Sequence, residues 1–425
     1  METVLIILFL TGYGAIVMEH ALKVNKAGTA LCMGALCWTV YMLFSGHGTE
    51  TVLGEMNENL SEIASVLLFL IGAMTIVEVI DSHEGFRFFT DRIRTGSKRK
   101  LLWLFALITF FLSALLDNLT TTIVMISLLT KLVERREDRL VIGSMIVIAA
   151  NAGGAWTPMG DVTTTMLWIG KQVSAGAIMA RLALPSLVSM LAPLTVFTFL
   201  LKGRIGQPAS AAAGAGSILL PASVRNSILF IGISILVCVP VFKTLTHLPP
   251  YVGMLLGLGI LWIYTGVLYR HHRGGRIKER VSVTHALHTI EMSTILFFLG
   301  ILLCVGALQR AGMLAGMAAW LDRAVGNQGV IVTVIGAVSA VVDNVPLVAA
   351  AQGMYTYPTD SFFWEFLAYA VGTGGSMLVI GSAAGVAAMG LLKVEFFWYL
   401  KRVSVWALLG YLSGALVYVA ERMFF

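Results

Sequence analysis

Two short stretches place an aspartate and an asparagine inside apolar sequence. The run SALLDN, which ends at Asn118, returns 226 residues later as SAVVDN, which ends at Asn344. A carboxylate at the centre of a bilayer costs about 2.5–3.5 kcal/mol, so an aspartate in such a run is a candidate functional residue. Carboxylate and amide oxygens are hard ligands that suit a small alkali or alkaline-earth cation. The pairs Asp117-Asn118 and Asp343-Asn344 are therefore the first candidates for a cation site.

Further oxygen ligands lie beside these pairs or in two glycine-rich interruptions of later apolar segments. No cysteine or histidine accompanies them, which argues against a soft or transition metal. The additional candidates are Thr120, Thr121, Thr122, Thr157 and Asp161 in the first half, and Thr373, Ser376 and Ser382 in the second.

The two sets of candidates are not equivalent. Pro346 stands where the first copy has Thr120, and Ser382 stands where it has Asp161. The first half thus carries more acidic ligands, and we expect Asp117 to be the more direct ligand. Asp161 follows a glycine and precedes Val-Thr-Thr-Thr, so an alternative is that it only caps the helix that follows.

A carboxylate away from water holds a proton tightly, whereas a bound cation favours the ionised form. Proton and cation therefore compete for one group. If such a site is exposed alternately to the two sides of a membrane, this competition is sufficient for exchange of a cation against protons. No catalytic residue is needed.

The composition indicates a polytopic membrane protein. The chain has 425 residues, of which 58% are hydrophobic and 12% charged, and its mean hydropathy is +0.86. We expect the lipid bilayer to be its surroundings and see no room for a soluble domain. The net charge of +6 does not indicate nucleic acid binding, because the basic residues lie in short loops between apolar segments, where they set orientation. The start of the chain lacks the features of a removable signal peptide.

The chain reads as two similar halves with a small-residue linker between them. Residues 1–201 contain a predicted hairpin at 101–131 and an interrupted helix at 138–170, and residues 202–225 form a predicted cytoplasmic linker. Residues 226–425 repeat the order, with a hairpin at 327–356 and an interrupted helix at 362–392. Uninterrupted helices are predicted at about 2–19, 27–45, 61–80, 177–201, 226–243, 250–268, 287–306 and 396–420.

An odd number of crossings in each half predicts that the second half runs opposite to the first. We expect an all-α fold with inverted repeats, about ten full crossings and both termini outside. This arrangement places 23 of the 29 Lys and Arg residues on the inner side. The two hairpins would then enter from opposite sides and meet near the midplane.

Two other polar clusters are possible sites of pH sensing or proton access. Glu78 and His83 lie near the end of the third predicted helix, where a solvated helix end is the alternative. His285, His288 and Glu291 follow a spacing of three that puts them on one helix face, where a polar face beside the membrane is the alternative.

The blocks around these residues resemble a known family. FLSALLDNLTTTIVMISLL, IAANAGGAWTPMGDVTTTMLWIG, SAVVDNVPLVAAAQGMY and WEFLAYAVGTGGSMLVIGSAAGVAAMG are similar to NhaD-type sodium/proton antiporters of the ion transporter superfamily. The resemblance implies exchange of Na⁺ or Li⁺ for H⁺ across a bacterial cytoplasmic membrane. It also implies a homodimer whose hairpins and broken helices form a transport part that moves like an elevator against a scaffold. The predicted protein is a transporter, neither an enzyme nor dependent on a cofactor besides the transported ions.

Two alternatives remain at this point. Other members of the superfamily carry arsenite or organic anions, but an added carboxylate at each tip suits a cation and no cysteine lies there for arsenite. Two intramembrane aspartates are also a feature of membrane aspartyl proteases. The Gly-x-Gly-Asp motif typical of those proteases is absent from this sequence.

Overall fold

The computed structural model describes residues 1–90, 96–201, 203, 220–270 and 281–424. Within those ranges every regular element is an α-helix. In chain order the helices are α1 (Glu2–Val17), α2 (Glu19–Leu22), α3 (Lys26–Phe44), α4 (Thr49–Ser82), α5 (Arg87–Thr90), α6 (Lys98–Ser113), α7 (Asn118–Leu132), α8 (Arg136–Gly154), α9 (Val162–Ile169), α10 (Ala175–Leu200), α11 (Ala222–Thr246), α12 (Pro250–Leu268), α13 (Val283–Thr289), α14 (Met292–Arg310), α15 (Met313–Ala324), α16 (Gln328–Val338), α17 (Asn344–Met354), α18 (Phe362–Gly374), α19 (Ala383–Leu392), α20 (Phe396–Arg402) and α21 (Ser404–Phe424).

Seven of these helices are long and apolar enough to cross a bilayer, namely α3, α4, α10, α11, α12, α14 and α21. Their outward side chains are apolar, and Phe199, Ile263 and Leu416 are each at least 70% exposed. Such surfaces match lipid hydrocarbon, in which helices satisfy their own backbone hydrogen bonds. The expectation of an all-α membrane protein is confirmed. About ten crossings would also require α1 and two interrupted helix pairs to span, so that count stays a prediction.

The helices pack as two bundles, each of which takes members from both halves of the chain. We call the first the α4 bundle, which comprises α1, α3, α4 and α11–α14. The second is the hairpin bundle, which comprises α6–α10 and α16–α21. The two bundles meet mainly where α14 contacts α17 and where α4 contacts α9. A boundary therefore separates all four helix interruptions from the long helices of the α4 bundle.

The four interruptions fall at glycine, proline and aspartate residues. Residues 114–117 separate α6 from α7, and residues 339–343 separate α16 from α17. Residues 155–161 separate α8 from α9, and residues 375–382 separate α18 from α19. Whether the first two pairs return to the side from which they enter, as the sequence predicts, stays a prediction.

The third helix is longer than predicted. The sequence indicated 61–80, whereas α4 runs for 34 residues from Thr49 to Ser82. Its polar first turns are stabilised from neighbouring helices, since Tyr41 Oη donates to Glu55 at 3.0 Å and Arg310 pairs with Glu58 at 2.7 Å. Glutamate is itself a good helix former, so these first turns can continue the helix.

Other boundaries also differ from the prediction. The helix expected at 287–306 is divided, because Ile290 has an extended backbone conformation between α13 and α14. The helix expected at 396–420 is divided at Val403, and α19 and α20 meet at a bend of 114°. Most of the predicted linker at 202–225 lies outside the described residues, and α11 already begins at Ala222. The amphipathic helix α15 was not predicted.

Candidate functional site

The first hairpin tip is organised by Asp117, the N-cap residue of α7. Its carboxylate accepts hydrogen bonds from the backbone amide and the hydroxyl of Thr120, both at 2.7 Å. Aspartate is a preferred N-cap because its side chain satisfies amide groups that the first helical turn leaves free. The carboxylate of Asp117 is thus fixed by its own hairpin, and Asn118 behind it is buried.

The second tip is built differently. Asp343 is the N-cap residue of α17 and accepts a longer bond of 3.3 Å from the amide of Val345. Its other carboxylate oxygen lies 3.6 Å from the ammonium group of Lys26, on α3. The side-chain oxygen of Asn344 is buried and has no hydrogen-bond donor among the described residues. An unpaired buried carbonyl oxygen is costly unless a ligand completes it.

The first broken helix contributes Asp161, which is only 4% exposed. It is the N-cap residue of α9, as one reading of the sequence expected, yet its side chain makes no capping bond to an α9 amide. Instead Asp161 Oδ2 accepts from the hydroxyl of Thr163 at 2.9 Å. The carboxylate of Asp161 is therefore not occupied by hydrogen bonds to the N-terminal amides of α9.

Close glycine contacts join each broken helix to the hairpin of the same half. A Cβ added to Gly153 would overlap the carbonyl oxygen of Phe110, and one added to Gly374 would overlap that of Gly336. These are matched positions, because both hairpin residues lie three before the serine of the repeated SALLDN or SAVVDN run. Backbone packs directly on backbone in both halves, which only glycine permits.

One buried asparagine joins the interruptions of the two halves. Asn151 Oδ1 accepts from Asn118 Nδ2 at 3.0 Å, and Asn151 Nδ2 donates to the hydroxyls of Ser376 and Ser382, both at 2.9 Å. The Asn151 side chain is completely buried. Sequence reasoning missed it as a site residue, although a polar side chain in the run IVIAANAGG was a usable signal.

The second half lacks a counterpart of this amide. Gly372 stands two residues before the second glycine pair, as Asn151 stands two residues before the first. Gly372 offers no side chain to Asn344, and a Cβ there would lie 3.6 Å from Asp161 Oδ2. The absence of a side chain at Gly372 keeps space open beside the carboxylate of Asp161.

A cavity of about 890 Å³ lies at the boundary between the two bundles. Both aspartate-asparagine pairs and Asp161 line it, so the structure brings the main predicted ligands together. Its charged lining residues are Glu19, Lys23, Lys26, Asp117, Asp161, Glu291 and Asp343. Five of these are acidic and two are basic, and no cysteine is among the described residues of the wall.

The other predicted ligands lie behind the cavity wall. Thr157 donates to the carbonyl of Ala114 at 2.6 Å and so fastens the first break to the first hairpin. Thr121 has a buried hydroxyl without a partner among the described residues, and it does not face the cavity. Thr120, Ser376 and Ser382 are likewise absent from the wall, because their side chains bond Asp117 or Asn151.

The two predicted pH-sensing clusters do not form compact sites. His83 is buried with its Nδ1 2.6 Å from the carbonyl of Val79, and Glu78 is half-buried away from the cavity. His285 and His288 are exposed on α13, which ends at Thr289. The expected common face with Glu291 is wrong, because the chain turns at Ile290 and places Glu291 on the cavity rim instead.

Comparisons with known proteins agree on the family. Residues 8–374 match the family model described as citrate transporter. The chain is 47% identical to sodium/proton antiporter 1 of Arabidopsis thaliana, over 99% of this chain and 72% of that protein. It is 31% identical to the Na⁺/H⁺ antiporter NhaD of Alkalimonas amylolytica, over 98% and 90% of the two chains. These relatives are named as transporters or antiporters, which are not enzymes.

The fold has a solved counterpart. The crystal structure of the YdaH transporter of Alcanivorax borkumensis superposes with a TM-score of 0.57 at 14% identity and covers 94% of this chain and 97% of that one. At this identity the likeness concerns the fold alone. The sequence comparisons, which extend over nearly the whole chain, show that it belongs to the family of NhaD-type sodium/proton antiporters.

Proposed function

We propose that this protein exchanges Na⁺ or Li⁺ for H⁺ across a membrane. The observation that carries the proposal is the convergence of Asp117, Asp161 and Asp343 on one cavity between two helix bundles. The cation site that we propose comprises these carboxylates with Asn118 and Asn344. The buried oxygen of Asn344, which has no donor among the described residues, supports a cation at this place.

Competition between proton and cation follows from the same groups. Each carboxylate binds either one proton or a share of one cation, and it is poorly stabilised when it holds neither. Asp161 is the best placed of the three, since it is buried, makes no capping bond and faces the space beside Gly372. Asp117 is more strongly engaged by Thr120 than the sequence suggested. We therefore propose Asp161 as the main acidic ligand.

Alternating access would come from movement of the hairpin bundle against the α4 bundle. The cavity rim carries Lys23 and Lys26, which charge distribution assigns to the inner side, so this conformation would be open inward. A homodimer held through the α4 bundle would keep that bundle static. The relatives are bacterial and plant proteins, and placement in a bacterial cytoplasmic membrane remains part of this proposal.

Transport of an organic anion is the second candidate, because the family model is described as citrate transporter. Five acidic and two basic side chains line the cavity, and that excess of negative charge opposes a citrate anion. The lack of cysteine in the described wall likewise disfavours arsenite. Transport of a cation therefore agrees best with the charges of the side chains that line the cavity.

The test is proton movement in proteoliposomes that contain the purified protein and an entrapped pH dye. With a pH gradient imposed, addition of Na⁺ or Li⁺ should collapse the gradient, whereas choline or citrate should not. Asp161→Asn should raise the half-saturating Na⁺ concentration about tenfold or more, because a charged ligand contributes about 1.5–3 kcal/mol. Asp117→Asn and Asp343→Asn should also impair exchange.

Asp322→Asn is the matched control, because it makes the same chemical change on the exposed face of α15, outside the cavity. It should behave like the wild type. A gradient that persists after Na⁺ and Li⁺ addition but collapses with citrate would replace the cation proposal by the anion one.

A further inference from the structure

Lys26 lies where the two bundles meet and carries its charge into the cavity. It is the first residue of α3, which Asn25 caps with a 2.8 Å bond to the amide of Ala27. Its ammonium group is 3.6 Å from Asp343 Oδ2, and the two side chains are 31% and 28% exposed. The pair is thus partly desolvated and in contact with the cavity.

Two helices of the α4 bundle position this ammonium group: α3, which carries Lys26, and α14, which carries Phe297. The group lies 4.7 Å from the ring centroid of Phe297, on α14, within the range of a cation–π interaction. The helices α3 and α14 also cross with their backbones in contact, since a Cβ on Gly34 or Gly300 would overlap the backbone of the other helix. Lys26 and Phe297 therefore belong to one rigid unit.

Asp343 belongs to the other bundle, at the tip between α16 and α17. The ion pair accordingly spans the boundary that would have to slide during transport. The matched residue Asp117 has a different partner, the Thr120 of its own hairpin. Only the second of the two tips is linked by such a pair to the α4 bundle, within the part of the chain that the structure describes.

We propose that Lys26 is a tethered counter-cation that occupies Asp343 while the transport site is empty. The inference rests on the proposed cation exchange and deepens it. A substrate cation that binds Asp343 must displace the ammonium group, which frees the hairpin tip from α3. The empty hairpin bundle stays tethered and moves rarely, whereas the loaded one is released. Lys26 thereby couples movement to occupancy.

The expected size of the effect is modest, because the pair is partly exposed. Ion pairs of this kind change an equilibrium by up to about fivefold. Lys26→Gln should lower the half-saturating Na⁺ concentration by about three- to fivefold, since Na⁺ no longer competes with the ammonium group. It should also lower the number of protons moved per Na⁺ by about twofold or more, because empty carriers return.

The experiment measures ²²Na⁺ efflux and internal pH in the same proteoliposomes. Lys26→Gln and Lys26→Met, which keeps the apolar stem, should both lower the H⁺ to Na⁺ ratio, and Lys26→Arg should preserve it. Lys23→Gln is the control, because Lys23 lines the same cavity with a positive charge and is not a member of the Lys26–Asp343 pair. It should alter the ratio less than either Lys26 variant.

The outcomes separate the two proposals. A wild-type protein without cation-dependent proton movement overturns the proposed function. The tether alone is overturned if the wild type exchanges normally and the neutral Lys26 variants keep the H⁺ to Na⁺ ratio and the Na⁺ affinity of the wild type. Equal effects of Lys23→Gln and Lys26→Gln overturn it too, because they would indicate a general charge effect. Na⁺/Na⁺ exchange checks that each variant is folded. If only one of Lys26→Gln and Lys26→Met is folded, that variant alone is sufficient for the test.

Discussion

The buried amide of Asn151 offers the sharpest test of the site's construction. Asn151→Ala removes three hydrogen bonds and leaves the groups that made them, on Asn118, Ser376 and Ser382, without that partner. Each bond contributes about 0.5–1.5 kcal/mol net, and a buried group left unpaired costs about 1–3 kcal/mol. We expect the free energy of unfolding to fall by about 3 kcal/mol, since relaxation and water recover part of the loss.

This loss has two measurable consequences. With the unfolding entropy of globular proteins, about 2.1 cal/mol/K per residue, the melting temperature of this 425-residue chain should fall by on the order of 3 °C. The half-saturating Na⁺ concentration should rise as well, because Asn118 loses the bond that fixes its orientation at the cavity.

Asn57→Ala is the matched control, since Asn57 is exposed on α4 and its truncation should change stability by less than about 0.5 kcal/mol. The measurement is thermal unfolding of both variants in the same detergent, followed by Na⁺ titration in proteoliposomes. A melting temperature and a Na⁺ affinity of Asn151→Ala that both equal those of the control would refute the role of this amide.

Two further predictions concern stability. Glu365 is completely buried and pairs with Arg181 at 2.5 Å and with Arg422 at 3.1 Å. Both arginines are partly exposed and keep access to water, so Glu365→Gln should destabilise the protein by about 1–3 kcal/mol, measured as a lower melting temperature in detergent; an unchanged melting temperature would contradict this. Gly374→Ala forces a Cβ against the carbonyl of Gly336 and should abolish folded protein, whereas Gly14→Ala, with nothing within 4 Å, should leave expression and exchange normal.

The helix interruptions that form the site could be predicted from local sequence. Aspartates and glycines in apolar runs predict helix ends, because aspartate is a preferred N-cap and glycine is a poor helix former, while proline lacks the amide that a helix interior needs. For this reason the interruptions at Asp117, Asp161 and Asp343 could be located from their immediate neighbours. Their convergence on one cavity followed from the repeat and from the distribution of charge.

Long-range partners could not be predicted in the same way. Asn151 and Ser382 are 231 residues apart in the chain, and nothing in either neighbourhood specifies the other. Lys26 was read only as a topology charge, since its pairing depends on where hairpin 327–356 lies against α3. The division of the helix at Ile290 could not be predicted for a related reason. Its residues are compatible with a continuous helix, and the chain is interrupted there where α13 packs against α4.

The crossing of α3 and α14 at Gly34 and Gly300 has one more consequence. Backbone contact at this crossing limits movement of α3 against α14, so the Cα of Lys26 stays at a nearly fixed position in the α4 bundle. The lysine stem is four carbons long, and it can follow the tip of the second hairpin only as far as that stem reaches. Beyond that distance the attraction between Lys26 and Asp343 weakens as the two charges separate. The lysine thus sets an upper limit on how far the tip of the second hairpin can lie from α3 while the ion pair is kept.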